Sequence, residues 1–374
     1  MVAVVAALSA CSADAEGDPP SRGTVTLAAP VAVRSPATTA DVAATTVPLT
    51  YGDGPTVPAV APGWAERPQE QDGVFVGRGP AGADGAVAIV AVDPSGTVLW
   101  RARGPQGTRV ELGRLATGRS VVVLAAPAST GAWTAGGYDL ATGATMWERK
   151  IPGPLSGPGL LVSAPSGAQL LDATTGATAP LPSGGHVVGE RDGVVLTSAG
   201  GHLQGWRDDA QAWTTPLSAL DLPAGAAPTV VPGATPPRGT LVLGDGGAGA
   251  PSSGALLDVS TGAVIATGVR DARADHVLGS WILLGERALS AQEGSTVVWS
   301  RPVPDGATLA AVDRVLAYVR TGDAVLAVNT ATGADAQAYE ATARGPLAVP
   351  AVTGSDGGVA LSTGRWILLT TTRP

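Results

Sequence analysis

The residues of this 374-residue chain that could do chemistry are few and widely scattered. His186, His202 and His276 show none of the short spacings that build a zinc site, and read as surface or packing histidines. The adjacent pair Asp208-Asp209 reads as a solvated turn. Gly77-Arg78-Gly79-Pro80-Ala81-Gly82 and Gly244-Asp245-Gly246-Gly247-Ala248-Gly249 have the glycine spacing of a dinucleotide phosphate cradle. That cradle opens a helix, whereas here Pro80, Pro251 and β-rich runs follow, so both are expected to be loops between strands. No Gly-x-Ser-x-Gly elbow is present, so a serine hydrolase has no footing. Cys11 is the single cysteine, which excludes an intrachain disulfide.

The carboxylates that recur do so at a fixed place in a repeated stretch, which points to turn formation and not to acid–base catalysis. In residues 137–147, Tyr138 and Leu140 flank Asp139 in strand alternation. Ala141-Thr142-Gly143 then supplies a turn whose glycine suits positive φ, and Thr145-Met146-Trp147 resumes a strand. The aspartate can accept from the turn's N–H groups and the tryptophan can bury a large apolar face. Asp93, Gly96 and Trp100 repeat the pattern in full. Asp172 with Gly176, Asp258 with Gly262, and Asn329 with Gly333 keep the turn but carry Pro180, Ala266 and Gln337 where the tryptophan belongs. Two worn copies end in Trp213, after Asp208-Asp209, and in Trp299, after Gly294.

Seven turns spaced at about 40 residues, each among several short β-branched runs, are the pattern of propeller blades, since one small sheet cannot bury both of its faces alone. The unit resembles the pyrroloquinoline-quinone-like β-propeller repeat of quinoprotein dehydrogenases and BamB-like outer-membrane assembly lipoproteins, over residues 71–373. The expected fold is all-β: a single propeller of four-stranded blades across residues 51–374. Three further strands near 347–352, 358–362 and 366–371 make eight blades the favoured count and seven the alternative. A strand from the N-terminal side, at 47–51, is expected to close the ring.

The resemblance implies a fold more than an activity. Quinoprotein enzymes use a vicinal cysteine pair, a calcium site with acidic and asparagine ligands, and a catalytic aspartate. One cysteine and one asparagine, Asn329, do not supply that set, so no cofactor, metal or catalytic residue is expected. The net charge of −8 and pI near 4.9 argue against a nucleic-acid partner. Leu8-Ser9-Ala10-Cys11 matches a lipobox, so residues 1–11 read as the end of a lipoprotein signal peptide with Cys11 as the lipidated residue. Residues 12–50, rich in Ala, Thr and Pro, read as a disordered tether. The functional expectation is a monomeric, extracytoplasmic, lipid-anchored propeller that binds or scaffolds envelope proteins. The alternative is an enzyme whose residues converge from several blades on the axial funnel. Residues 221–239, with Leu222, Val230 and Val231, read either as a tolerated insertion with no role, the favoured reading, or as a face loop that docks a partner.

Overall fold

The computed structural model describes residues 25–52, 58–115, 117–128, 131–182, 185–237, 239–246, 253–342, 345–354 and 356–371. Cys11, its lipobox and residues 12–24 lie outside these.

Eight antiparallel sheets succeed one another along the chain. Blade 1 runs Gln69–Gln71, Val74–Ala81, Ala86–Val92, Thr97–Pro105, and blade 2 runs Arg109–Arg114, Ser120–Pro127, Trp133–Asp139, Thr145–Ile151. Blade 3 has three strands, Leu161–Ala164, Gly167–Leu171 and Thr178–Pro180. Blade 4 comprises His186–Arg191, Val194–Ala199, His202–Arg207 and Ala210–Pro216; blade 5 comprises Pro228–Val230, Thr240–Asp245, Gly254–Asp258 and Val264–Val269. Blade 6 is Asp271–Asp275, Ser280–Leu284, Ala288–Glu293 and Thr296–Pro302, and blade 7 is Thr308–Asp313, Leu316–Thr321 and Ala324–Asn329. Val349–Thr353, Val359–Ser362 and Trp366–Leu369 complete the ring as blade 8, with Ala59–Val60 as the fourth strand. First strands touch across the seams between blades 4 and 5, 6 and 7, 7 and 8, and 8 and 1, so the ring closes and the fold is an eight-bladed propeller with these strands innermost.

Position in the blade sets residue type. The second strand of blade 2, SVVVLAAP, is buried almost throughout because other blades cover both its faces, so it reads as a continuous apolar run and does not alternate. The outermost strand of blade 6, TVVWSRP, is largely exposed. The core is accordingly a set of layers between blades. Val76, Ile89 and Trp100 pack on Val122, Leu124 and Tyr138 between blades 1 and 2, and Leu196 and Leu203 pack on Leu241 and Leu257 between blades 4 and 5.

Four expectations are corrected. The tether does not extend to residue 50: Ala28–Pro36 forms a fifth strand on blade 1, paired with Thr97–Pro105, because that outermost strand still has a free hydrogen-bonding edge. The closing strand is Ala59–Val60 on Trp366–Leu369, whereas Leu49–Tyr51 is a 3-10 turn after Pro48. Gly77 is a strand residue, packed under Trp64 so closely that a Cβ would meet the indole at 2.5 Å. Residues 221–237 do not hang free. Pro228–Val230 is the innermost strand of blade 5, Leu222 and Val231 are buried, and Val230 packs against the same core.

Candidate functional site

The repeat residues act at the seams. Asp93 Oδ1 accepts from the N–H groups of Ser95 and Thr97, Asp139 Oδ1 from Thr142, Asp172 Oδ1 from Thr174 and Thr175, and Asp258 Oδ1 from Ser260 and Thr261; Asn329 Oδ1 accepts from Ala331 and Thr332. Burial alone would raise the Asp139 carboxyl, but the Thr142 hydroxyl, Arg119 and the Thr142 N–H outweigh it and hold it below the usual range. A carboxylate so engaged is a turn element, not a general acid.

Each of the four repeat tryptophans reaches the turn of the next blade. The indole N–H of Trp100 donates to Leu140 O at 2.7 Å, Trp147 to Ala173 O at 2.8 Å, Trp213 to Val259 O at 2.9 Å and Trp299 to Thr330 O at 2.6 Å. In every case the acceptor is the residue after the turn's Asp or Asn. The indole then lies on that turn's glycine, Gly143, Gly176, Gly262 or Gly333, whose φ is 69–72°. A Cβ on Gly143 would come to 2.9 Å from Trp100, so this position needs glycine both for its backbone and for the approach. Blades 3, 5 and 7, which lack the tryptophan, precede blades 4, 6 and 8, which lack the five-residue turn. Blade 1's shorter turn receives Val60 and Thr370 at Gly96 instead.

The innermost strands enclose an axial cavity of about 570 Å³ to which all eight blades contribute. Among the described residues its charged lining is Arg67, Arg191 and Arg273 against Glu70, Asp72, Glu111, Glu190 and Asp192, with His276 beside them. Most of these groups are engaged. Glu190 accepts from the N–H groups of Leu160 at 2.6 Å and Gly193 at 2.7 Å, and burial pushes its carboxyl up. Glu70 accepts from Gly73 N–H at 2.9 Å, and Asp72 binds Arg114 and Ser120. Arg273 donates to Thr235 O, Asp271, Ala272 O and Leu309 O, fastening residues 234–237 of blade 5 inside the ring. Arg67 donates to Ala351 O at 2.5 Å; burial first, then the like charge of Arg273, depresses its pKa to about 10. Glu111 accepts no hydrogen bond among the described residues. Burial, with Glu190 adding to it, raises its pKa to about 7 against the pull of Arg191 and Arg109.

No family model matches the sequence, and no curated protein does. Among solved structures, the quinohemoprotein alcohol dehydrogenase from Comamonas testosteroni is similar at 14% identity and a TM-score of 0.42, covering 88% of this chain and 76% of that one. The β-propeller domain of the Trilobed protease from Pyrococcus furiosus is similar at 11% identity and a TM-score of 0.37, covering 75% and 97%. A structure of the Mitotic Checkpoint Complex matches at 10% identity and a TM-score of 0.38, covering 96% and 98%. The likeness is to the propeller as a fold.

Among the described residues no group of three or more His, Cys, Asp and Glu is arranged to hold a metal ion. Among the described residues the wall carries five carboxyl groups and three guanidiniums, and burial pushes two of the carboxyls, Glu111 and Glu190, toward the neutral form. Of this wall only His276 and the stretch holding residues 234–237 stood out in the sequence, and none of the carboxylates or guanidiniums did, although one signal was present. Glu70-Gln71-Asp72-Gly73 and Glu190-Arg191-Asp192-Gly193 share a Glu-x-Asp-Gly pattern, and in both the glutamate accepts from the glycine N–H while the aspartate takes a φ of 50–51°.

Proposed function

We propose that this chain is an extracytoplasmic propeller, held to the membrane by lipid at Cys11, that binds envelope proteins at one end of blade 6. The observation that carries the reading is four exposed apolar residues at one end of blade 6. Val277 is 67% exposed, Leu278 39%, Val297 56% and Val298 49%, and all four belong to blade 6. The register Trp281↔Gln292↔Val297 puts the turn holding Val277 and Leu278 at the same end of the sheet as Val297. Asp275 Oδ1 accepts from the N–H groups of Val277 and Leu278, so this apolar corner is pre-formed. Exposed apolar residues gathered in this way are typical of protein-docking surfaces. Neighbouring His276 lines the axial cavity, which puts the Val277–Leu278 turn near its rim and Val297 and Val298 on the outer strand.

A photo-crosslinking residue at position 277 or 297 is expected to give discrete envelope-protein adducts, and one at Arg287, beyond the opposite end of the same strands, none. The same adducts from all three positions, or none from any, would remove the docking face. The anchor is tested separately: Cys11→Ser should release the protein from membranes and abolish fatty-acid labelling, and unchanged retention would remove the anchor alone. The catalytic reading has Glu111 as its one supporting observation, a carboxyl near pKa 7 in a cavity. The engagement of Glu70, Asp72 and Glu190 in structural bonds supports binding over catalysis.

A further inference from the structure

The axial cavity contains two opposite charges that do not meet. Glu111, on the innermost strand of blade 2, and Arg191, at the end of the innermost strand of blade 4, both line it. They sense each other, since Arg191 is the foremost charge acting on Glu111. Yet no ion pair within 4.0 Å joins them, and neither makes a hydrogen bond among the described residues. Arg191 Nε is buried without a partner, as is Thr235 Oγ1 in the same wall. Blade 3, between them, contributes only Gly159 to the cavity, so among the described residues no side chain of that blade enters the space. Gly159 is fixed as glycine: its φ is +82°, and a Cβ would run into Glu190.

Opposite charges left apart in a partly enclosed cavity forgo attraction after losing hydration, which is a costly arrangement unless something completes it. A lone anion at Arg191 would face Glu190 and Asp192, its sequence neighbours. A lone cation at Glu111 would face Arg109 and Arg191, which both act on that carboxyl. A molecule carrying both signs meets neither penalty. We propose that the gap between Glu111 and Arg191, over Gly159, is a binding site for a small amino-acid-like zwitterion, its amine on Glu111 and its carboxylate on Arg191. A cavity of about 570 Å³ accommodates a ligand of that size. The site is independent of the blade 6 docking face and goes beyond it.

The test is calorimetric titration of the full chain at pH 8 with glycine, 4-aminobutyrate and 6-aminohexanoate, against butyrate and butylamine. At least one zwitterion is expected to bind about ten-fold tighter than both singly charged probes, a difference of one decade in Kd. Arg191→Gln should erase the advantage over butylamine, and Glu111→Gln the advantage over butyrate. Below neutral pH, zwitterion binding should release protons, because the amine favours ionised Glu111. No heat from any zwitterion, or equal affinity for zwitterions and singly charged probes, would overturn the site. Should a variant melt early, the probe series on the unaltered chain decides, because a site for one charge gains nothing from the second.

Discussion

Trp147 and Gly143 show how much one residue of the repeat carries. Trp147 is 8% exposed and hydrogen-bonds into blade 3, so Trp147→Ala empties a buried site and loses a seam bond. The expected cost is about 3–5 kcal/mol by chemical denaturation. Gly143→Val should also destabilise, because φ is 72° and Trp100 occupies the space. An unmoved midpoint for either variant would contradict the seam geometry. Glu111 makes a pH prediction. Its folded pKa, about 7, lies above the ordinary glutamate value of 4.5, so the native state binds more protons than the unfolded state between those pH values. Stability from this group therefore falls as pH rises from 4.5 to 7 and is level above. Glu111→Gln should flatten that slope in melts taken across the interval, and a slope equal to that of the unaltered chain would contradict the burial of Glu111. These two residues differ in legibility. Trp147 belongs to a repeat visible in the sequence, whereas Glu111 matters through Arg191, which folding alone brings to the same cavity.

At the scale of elements, tryptophan and turn come as a matched pair across a seam. The wear in the repeats follows that pairing: Pro180, Ala266 and Gln337 replace the tryptophan where the next blade has no five-residue Asp- or Asn-led turn to receive it. The sequence displayed each loss but not their linkage, because linkage depends on which strand faces which turn. At the seam between blades 3 and 4 the bond from Leu160 N–H to Glu190 at 2.6 Å serves instead. Pro180→Trp, made alone, is therefore expected to leave the denaturation midpoint unchanged or lower it. Stabilisation of more than about 1 kcal/mol, the worth of a typical hydrogen bond, would mean that an indole is useful without its glycine turn. The innermost strands were the least legible elements. Pro228–Val230 has three residues and Gln69–Gln71 is polar, so neither shows strand periodicity, and the first lay within a stretch that composition marks as loop.

The whole molecule is a ring, and a ring is only as stable as its closure. Ala59–Val60 supplies the outer strand of blade 8, and Thr39 and Thr46 bridge to Val60 and Leu347. Val42, Val47 and Ala59 pack with Val359, Leu361, Ile367 and Leu369 in one core. Chain from before the first blade thus completes the last, joining segments far apart in sequence and making every seam depend on the others. The eight-blade count was legible from the three strands of the tail. The closing segment was not, because two residues carry no periodicity and their partner lies at the other end of the chain. The Ala28–Pro36 strand is a separate addition. It carries Pro30, Arg34 and Pro36, residues that blunt an edge, and so finishes blade 1 without inviting another strand. These roles predict a graded response to N-terminal truncation, read by circular dichroism melts. Removing residues 1–24 should leave the transition in place. Removing 1–36 should lower it modestly, since blade 1 keeps four strands. Removing 1–61 strips blade 8 of its outer strand and of Val42, Val47 and Ala59, and should abolish the cooperative transition. A chain beginning at residue 62 that still melts sharply near the original temperature would show that the ring closes without its N-terminal strand.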